Sequence, residues 1–296
     1  MSRVTQIAGY SVLRHIGNGA ASELYAVHDP KTKQIWALKQ VVKQTDKDQR
    51  FLDQCEIEYQ VGSKLDHPNV RGVNRLIKHR RLLKVYEVSL LLELVDAVSL
   101  DQYDPKSMLE AVVIFMQIAS GLQHMHERGF VHADMKPSNV LVADGPRVKI
   151  IDLGQACAIG TVKKRIQGTP GYMAPEQAHR QAIAAQTDIY NFGATMYWVL
   201  CREVIPTALP PKEDANGVFS GAIDTEQLKA PIPPHEKDPA IHPLLSKCIL
   251  ECVEVRPEDR PASMSDVYDK LEIIAHLFES HELDDDLDSE LDADET

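Results

Sequence analysis

The stretch FVHADMKPSNVLV, residues 130–142, constrains this chain more than any other. Asp134 can accept a proton from a hydroxyl, Lys136 can balance charge on a phosphoryl group, and Asn139 can offer an oxygen to a metal ion. Asp152 follows the predicted strand VKII and precedes LG, and a carboxylate there is suited to hold Mg²⁺ against phosphate oxygens. Taken singly, each aspartate is also explained by a helix cap or a turn. Their joint order predicts a site for phosphate chemistry.

Two features upstream fit the same chemistry, although each also has a plain structural explanation. Gly17, Asn18 and Gly19 lie between two predicted strands, where glycines let backbone N–H groups approach a phosphate. A simple hairpin turn explains these three residues equally well. Lys39 lies in the third predicted strand, and Glu58 on the next predicted helix is placed to neutralise it. A strand lysine more often extends to the surface, so only the combination favours a phosphate-binding cleft.

The hydrophobic patterns divide the chain into a strand-rich first part and a helical second part. The first part comprises three strands within 10–43, a helix over 49–65, and strands near 72–79 and 84–95. The second part comprises a helix over 107–127, the short strands NVLVA and VKIID, and helices near 186–202, 241–253 and 263–279. The eight prolines within 206–243 predict an irregular segment. The pattern predicts an α+β fold with units over 1–95 and 96–280.

Composition and charge exclude several classes of protein. Apolar residues make up 44% and charged residues 26% of the chain, which is typical of a soluble globular protein. No run approaches ~20 apolar residues, so no membrane span is predicted, and the N-terminus lacks the apolar stretch of a signal peptide. The net charge of −12 argues against a nucleic-acid partner. Nine acids and no base occupy the last fifteen residues, so residues 281–296 are predicted to form a disordered acidic tail.

The cysteines indicate a reducing compartment. The five of them are odd in number and scattered, which predicts a cytoplasmic location. Cys248 and Cys252 are close enough to share one helix face, where two buried small side chains are a better explanation than a metal site.

The complete order of motifs resembles the eukaryotic-type serine/threonine protein kinase family over about residues 10–275. That order is a glycine loop, a strand lysine, a helix glutamate, HxDxKxxN, DxG and APE, with GTPGYMAPE, TDIYNFG and RPEDRPA extending it. The resemblance implies a two-lobed protein kinase fold, with a small strand-rich N-lobe, a larger helical C-lobe, and ATP and Mg²⁺ in the cleft between them. It also implies that Asp188 supports the catalytic loop and that Arg260 pairs with Glu176. Lys136 and Thr169 resemble the serine/threonine branch of the family.

The resemblance assigns a role to each candidate site residue. The residues implied to bind ATP are Gly17, Asn18, Gly19, Leu24, Ala37, Lys39, Leu92, Glu93, Val95 and Leu141, with Leu92 as gatekeeper and backbone groups of Glu93 and Val95 facing the adenine. The residues implied to act in catalysis are Asp134, Lys136, Lys39 and Glu58, and those implied to hold the metal are Asn139 and Asp152. The expected reaction is phosphorylation of a protein serine or threonine. The alternatives are a pseudokinase scaffold that binds nucleotide without turnover, and a small-molecule phosphotransferase, against which the peptide-docking sequence GTPGYMAPE argues.

Several positions depart from the family pattern. Ala133 replaces an arginine that binds an activation-loop phosphate in many relatives, and Thr161 is the one ordinary phosphorylation candidate in the activation loop. Activity is therefore predicted not to depend on activation-loop phosphorylation. Ser22 for glycine and Leu153 for phenylalanine are milder changes. Gly62, where the family has a bulky apolar residue, predicts a gap beside the helix that carries Glu58 and hence a loosely held helix.

One charged segment suggests a contact within the chain. Lys163, Lys164 and Arg165 lie in the activation loop and are suited to attract acidic substrates or the acidic tail. A run of charges is more often a solvated surface, so this intramolecular contact is the less favoured explanation.

Overall fold

The computed structural model describes residues 5–19, 21–206, 212–213, 219–220 and 230–293, with side chains described for 5–19, 21–206 and 230–280. The first part of the chain forms a six-stranded sheet in which neighbouring strands run antiparallel, in the order β1-β2-β3-β4-β6-β5. Its strands are β1 (Gln6–Ile7), β2 (Tyr10–Asn18), β3 (Glu23–His28), β4 (Ile35–Val42), β5 (Val73–Arg81) and β6 (Lys84–Glu93). Alternation of buried and exposed residues along these strands gives one apolar face that must be covered.

Helix α1 (Gln49–Gly62) covers this sheet. It begins directly after a short 3-10 turn, Asp46–Asp48, in which the Asp48 carboxylate accepts from the backbone N–H of Thr45 at 2.7 Å. Leu52 and Cys55 pack against Val41 of β4 and Val88 of β6 in one buried cluster. Glu58, one turn further along the helix, is buried as well although it is charged.

The second part is built around a long buried helix. Its elements are β7 (Val98–Ser99), α2 (Met108–Glu127), β8 (Phe130–Val131), β9 (Val140–Ala143), β10 (Arg147–Ile150), β11 (Cys157–Ala158), α3 (Pro175–Ala178), α4 (Ala185–Cys201), β12 (Lys212–Glu213), β13 (Phe219–Ser220), α5 (Pro234–Lys237), α6 (Pro243–Cys252) and α7 (Met264–Ala293). The Ser107 hydroxyl caps α2 by accepting from the Glu110 N–H at 3.1 Å. Phe115 of α2 meets Phe192 of α4 edge to face, with ring centroids 6.2 Å apart, at the centre of the main core.

Helix α2 has an unusually apolar sequence. By length and composition it is the one helix among the described residues that meets the requirements for crossing a membrane, whereas the sequence predicts a helix there and no membrane span. Half of the most apolar stretch of this helix is buried inside the protein, where Ile114, Phe115 and Ile118 lie in the core. Its apolar character is accounted for by packing within the fold.

The observed architecture confirms the predicted α+β, two-lobed arrangement, with two local differences. Helix α5 lies within the segment 206–243 that the prolines predicted to be irregular, and Pro233 and Pro234 at its start account for the helix because proline is tolerated in a first turn. Residues 207–211, 214–218 and 221–229 of that segment lie outside the described residues. The second difference is at the C-terminus, where α7 continues to Ala293 instead of ending near 280. Leu283, Leu287 and Leu291 recur at helical spacing with no glycine or proline between them, and the disordered acidic tail stays a prediction.

Candidate active site

The loop between β8 and β9 is held in place from below by Asp188, in the first turn of α4. One Asp188 oxygen accepts from the backbone N–H of His132 and the other from that of Ala133, both at 2.8 Å. His126 Nε2 lies 2.9 Å from the same carboxylate, which is fully buried. His132 then accepts from the Asp134 N–H through Nδ1 and meets the Ile151 carbonyl through Nε2 at 3.1 Å. The loop backbone is thus fixed before any ligand binds, as the sequence predicted for Asp188.

The side chains of Asp134, Lys136 and Thr169 lie within contact distance of one another. The Thr169 hydroxyl donates to Asp134 Oδ1 at 2.8 Å, and Lys136 Nζ donates to the Thr169 hydroxyl at 2.8 Å. Lys136 Nζ also lies 3.4 Å from Asp134 Oδ2. Asn139 Nδ2 donates to the Asp134 carbonyl at 2.8 Å. The carboxylate therefore has a fixed orientation and a cation beside it.

Lys39 is neutralised in the cleft, not at the surface. Its Nζ lies 2.7 Å from Glu58 Oε2 and 3.4 Å from Asp152 Oδ1, which joins β4, α1 and the DLG segment. Burial by itself lowers the pKa of Lys39, but the two carboxylates outweigh it and raise the pKa above the usual value. Burial raises the pKa of Asp152, and the charges of Lys39 and His132 outweigh that effect, so the pKa lies below its usual range. Both groups are charged at neutral pH.

Asn139 and Asp152 have the chemistry of a magnesium site. Asp152 takes the left-handed conformation, with φ of 62°, and its side chain keeps 47% of its surface open. The amide nitrogen of Asn139 is used by the Asp134 carbonyl, which leaves the amide oxygen available to a cation. Mg²⁺ favours a site with few protein oxygen ligands completed by substrate phosphates. No cluster of three or more potential His, Cys, Asp or Glu ligands exists among the described residues, and these two residues fit that pattern.

Two adjoining cavities give the site its shape. The larger, about 510 Å³, lies under the glycine segment and is bordered by Gly17, Lys39 and Asn139 among others. The second, about 420 Å³, is bordered by Asp134 and by Arg165 and Thr169 of the activation segment, the stretch from Asp152 to Glu176. Lys136 and Asp152 line both of them. The arrangement therefore has one compartment of nucleotide size next to a second, smaller one beside Asp134.

The predicted adenine-binding residues are distributed over both lobes. Ala37 and Leu92 form a buried apolar cluster to which Leu24 adds, and Ala37 pairs with Leu92 across β4 and β6. Leu141 lies in β9 of the other lobe, opposite Ser99. Val95 is half-buried in the segment that follows β6. Gly17 and Asn18 end β2, and the Gly19 N–H donates to the Ser22 carbonyl at 2.7 Å, which closes the turn before β3.

Arg71 is a cleft residue that the sequence reading missed. It lines the larger cavity, and its Nε donates to the Glu93 carbonyl at 3.0 Å, while the Glu93 N–H donates to the Gly72 carbonyl at 2.8 Å. Both backbone groups of Glu93 that were predicted for the adenine thus have protein partners, and only a second lone pair of the carbonyl remains. Burial lowers the pKa of Arg71 even though Glu58 and Asp152 are near. A lone basic residue just before β5 carries no sequence signal for this role.

The gap predicted at Gly62 does not exist. A Cβ atom added at Gly62 would lie 2.3 Å from Val73 Cγ2 and 3.3 Å from Leu153 Cδ1. Val73 of β5 therefore fills the space that a bulky side chain on α1 would take, and the sequence could not show this because the two residues belong to different elements. Without a gap beside Gly62, the structure gives no reason to expect that α1 is loosely held.

A Gly62→Ala variant is expected to be less stable, by about 1 kcal/mol or more. Overpacking against Val73 costs about 1–3 kcal/mol, which exceeds the gain of about 0.5–1 kcal/mol from replacing a helical glycine. The measurement is urea unfolding of the single variants and of Gly62→Ala combined with Val73→Ala. We expect the double variant to lose less stability than the sum of the singles, and strictly additive losses would contradict this packing.

Ala133 lies in an apolar contact where the family has an arginine. It is buried, with φ of 60°, and packs with Val131 and Ile183, to which Cys157 adds. Nearby, the Gly160 N–H donates to the Ile183 carbonyl at 2.7 Å, and the Ile183 N–H donates to the Thr161 carbonyl at 2.9 Å. The start of the activation segment is thus attached to the chain before α4 by backbone hydrogen bonds and an apolar contact.

A buried network of polar side chains attaches the end of the activation segment to the catalytic loop. Gln177 Nε2 donates to the Ala133 carbonyl, and Gln177 Oε1 accepts from Asn191 Nδ2, both at 2.8 Å. Arg260 forms two hydrogen bonds with Glu176, at 2.8 and 2.9 Å, as predicted. Gln177 and Asn191 lie within the motifs APEQ and TDIYNFG, but their mutual contact had no sequence signal.

Comparisons with known proteins agree with this geometry. A family model described as protein kinase domain matches residues 10–271. A protein named probable serine/threonine-protein kinase from Clostridium acetobutylicum is 27% identical over 277 residues, covering 88% of this chain and 39% of that protein. PrkC of Bacillus subtilis, a serine/threonine-protein kinase, is 26% identical over 267 residues, covering 87% of this chain and 39% of that protein. This chain therefore spans less than two fifths of the length of either relative.

The fold has a solved counterpart as well. The crystal structure of the Mycobacterium tuberculosis PknI kinase domain superimposes with a TM-score of 0.67, covering 92% of this chain and 98% of that one, at 21% sequence identity. The likeness is one of fold, and it agrees with the two lobes and the cleft described above. Since the family model covers residues 10–271, this chain belongs to the protein kinase family.

Proposed function

We propose that the chain is an ATP- and Mg²⁺-dependent serine/threonine protein kinase. The observation that carries this proposal is the convergence of two polar groups on one cleft. Lys39, Glu58 and Asp152 form one group, while Asp134 and Lys136 belong to the other. Phosphoryl transfer requires positioning and charge neutralisation above all, and these two groups are suited to both.

Each residue has a role that follows from its contacts. Lys39, oriented by Glu58, would bind phosphate oxygens of ATP, and Asn139 and Asp152 would hold Mg²⁺, which when bound neutralises phosphate charge. Asp134 would orient the acceptor hydroxyl and take its proton as the oxygen attacks the γ-phosphorus and ADP leaves. Lys136, 3.4 Å from Asp134, would balance charge on the transferred group.

The direct test is the intact mass of the purified chain after incubation with Mg²⁺ and ATP. We expect added phosphate groups on the natural sequence, or on a generic serine/threonine substrate, and far fewer with Asp134→Asn after the same time. Nucleotide binding without any phosphate transfer would instead support the scaffold function. Two departures from the family pattern, Ala133 and Gly62, are what favour a scaffold, and the space beside Gly62 is filled by Val73.

We also propose that activity does not require phosphorylation of Thr161. The Thr161 hydroxyl donates to the Ala158 carbonyl at 2.6 Å, and backbone bonds to Ile183 already hold this segment. A Thr161→Ala variant is expected to keep its activity within about threefold, because it loses one exposed hydrogen bond worth about 0.5–1.5 kcal/mol of stability. The measurement is the initial rate on a peptide substrate. Loss of nearly all activity would contradict the proposal.

A matched comparison is offered by Thr169. Its hydroxyl joins Lys136 to Asp134, so Thr169→Ala is expected to lower the rate where Thr161→Ala does not.

A contact between the acidic tail and the basic activation-loop segment is the less favoured explanation of these charges, and it can be tested directly. Lys163 donates to the Gln155 carbonyl at 2.7 Å, while Lys164 and Arg165 are exposed, and Arg165 borders the cavity next to Asp134. Deletion of residues 282–296 is therefore expected to raise affinity for an acidic peptide substrate and to reduce the effect of salt, since exposed charges are screened over roughly 8–10 Å. The measurement is the KM for that peptide at low and high salt. Unchanged KM and salt dependence would refute the contact.

The substrate of the chain and its location in the cell are also part of the proposal. The acceptor would be a protein serine or threonine, and the peptide-docking sequence GTPGYMAPE, with Thr169 bonded to Asp134, supports a polypeptide over a small molecule. The net charge of −12 supports the prediction of no nucleic-acid partner, and the cysteine usage supports a cytoplasmic site of action.

A further inference from the structure

The turn between β5 and β6 exposes two leucines almost completely. Leu82 and Leu83 form a two-residue hairpin loop and are 96% and 93% exposed, whereas the next most exposed large apolar side chains among the described residues reach 61%. Leu82 also has φ of 55°, in the left-handed region that strongly favours glycine or asparagine in such turns. The sequence thus places bulky apolar side chains where both solvation and turn geometry favour small polar ones.

Three cations surround these leucines. Arg80, Arg81 and Lys84 are exposed, and none of them forms an ion pair with any residue that the structure describes. Lys78, one step further from the tip, is instead paired with Glu56 at 2.7 Å. The tip therefore carries three unpaired positive charges on a chain whose net charge is −12. We name residues 80–84 the basic leucine tip.

The tip projects away from the catalytic cleft. β6 runs from Lys84 at the tip to Glu93 at the cleft, a ten-residue strand about 30 Å long. Tyr86, 40% exposed, lies just behind the tip, at the level where an aromatic ring would meet the headgroups of a bilayer touched by the leucines. Contact at the tip would leave the cleft open to substrate.

We propose that the basic leucine tip inserts into the surface of a membrane rich in anionic phospholipid. The leucines would enter the boundary between headgroups and acyl chains, while Arg80, Arg81 and Lys84 bind lipid phosphates. The tip is a narrow projection, not a groove, and five residues are far fewer than the 20–30 a side of a stable protein interface. This shape and the complementary charge favour a bilayer over a protein partner, and the inference does not depend on the proposed catalysis.

The test is sedimentation of the full chain with vesicles. One set of vesicles contains phosphatidylcholine alone, and the other contains phosphatidylcholine and phosphatidylglycerol in equal parts. We expect binding to the anionic vesicles only. Leu82→Asn/Leu83→Gly, which suits the hairpin turn, is expected to lower the partition coefficient at least tenfold, and Arg80→Gln/Arg81→Gln/Lys84→Gln about a hundredfold.

A matched control lies in the other lobe. Lys247→Gln/Ile273→Ser removes an exposed cation and an exposed isoleucine of α6 and α7 and is expected to leave the partition coefficient unchanged. Each variant is also tested for peptide phosphorylation and thermal unfolding: the phosphorylation rate should not change, and no variant should unfold at a lower temperature than the natural chain. Equal binding by the tip variants and the natural chain would overturn the proposal. So would failure to bind anionic vesicles, or binding to a peptide of residues 282–296 in place of vesicles.

Discussion

An Asp134→Asn variant is expected to transfer phosphate about 10²–10⁴-fold more slowly than the natural sequence, the range that general-base catalysis contributes. Asparagine keeps the shape of aspartate and can still accept from the Thr169 hydroxyl, which lies 2.8 Å from Asp134 Oδ1. It cannot take a proton from the acceptor hydroxyl, and it removes the negative charge beside Lys136. The loss is therefore expected in the rate and not in the binding of ATP.

The measurement is single-turnover phosphorylation of a peptide, together with nucleotide affinity and the midpoint of thermal unfolding. Affinity and midpoint should match the natural chain, because Asp188, not Asp134, holds the loop backbone. Asp144→Asn is the matched control, since Asp144 is an exposed carboxylate in the turn between β9 and β10. A variant rate within tenfold of the natural one would show that Asp134 is not the base.

Much of the fold could be predicted because its elements are encoded locally. The alternation within 10–43 corresponds to β2, β3 and β4, and the helical spacing over 107–127 to α2. The ends of elements were less predictable, as α7 shows. Acidic composition indicated disorder after 280, whereas leucines at helical spacing continue the helix to Ala293. Composition and periodicity favour opposite structures there, so neither alone predicts where the helix ends.

The residues of the candidate site that belong to sequence motifs could be predicted from the order of those motifs. Lys39, Glu58 and Asp152 are far apart in the sequence, and only the order of motifs indicated that they meet, as they do at 2.7 and 3.4 Å. Arg71 and Val73 were missed because their roles depend on which strand lies beside which helix. Arg71 reaches the Glu93 carbonyl and Val73 occupies the space above Gly62, and neither contact leaves a periodic signal.

The largest effect on stability is expected from Arg260→Met. The Arg260 side chain is fully buried, and it donates to both Glu176 oxygens and to three backbone carbonyls, those of Glu254, Val255 and Gln186. Removal of the guanidinium leaves a buried carboxylate and three carbonyls without their donor, which is expected to lower the free energy of unfolding by about 3–5 kcal/mol. Arg260→Lys should recover little of this, because lysine cannot form the paired hydrogen bonds.

Arg256, four residues earlier in RPEDR, provides the comparison that isolates burial as the cause. Its Nε also pairs with a carboxylate, Asp259 Oδ2, at 2.7 Å, but its side chain is 69% exposed whereas that of Arg260 has no exposed surface. Arg256→Met is expected to leave urea unfolding unchanged within measurement error, because water replaces the lost partner at an exposed pair. Equal losses of stability in the two variants would show that the charge of the ion pair, and not its burial, determines its contribution to stability. If only Arg260→Met unfolds at a lower urea concentration, burial is the cause. The buried hydrogen bonds of Arg260 then hold the end of the activation segment to the helical lobe.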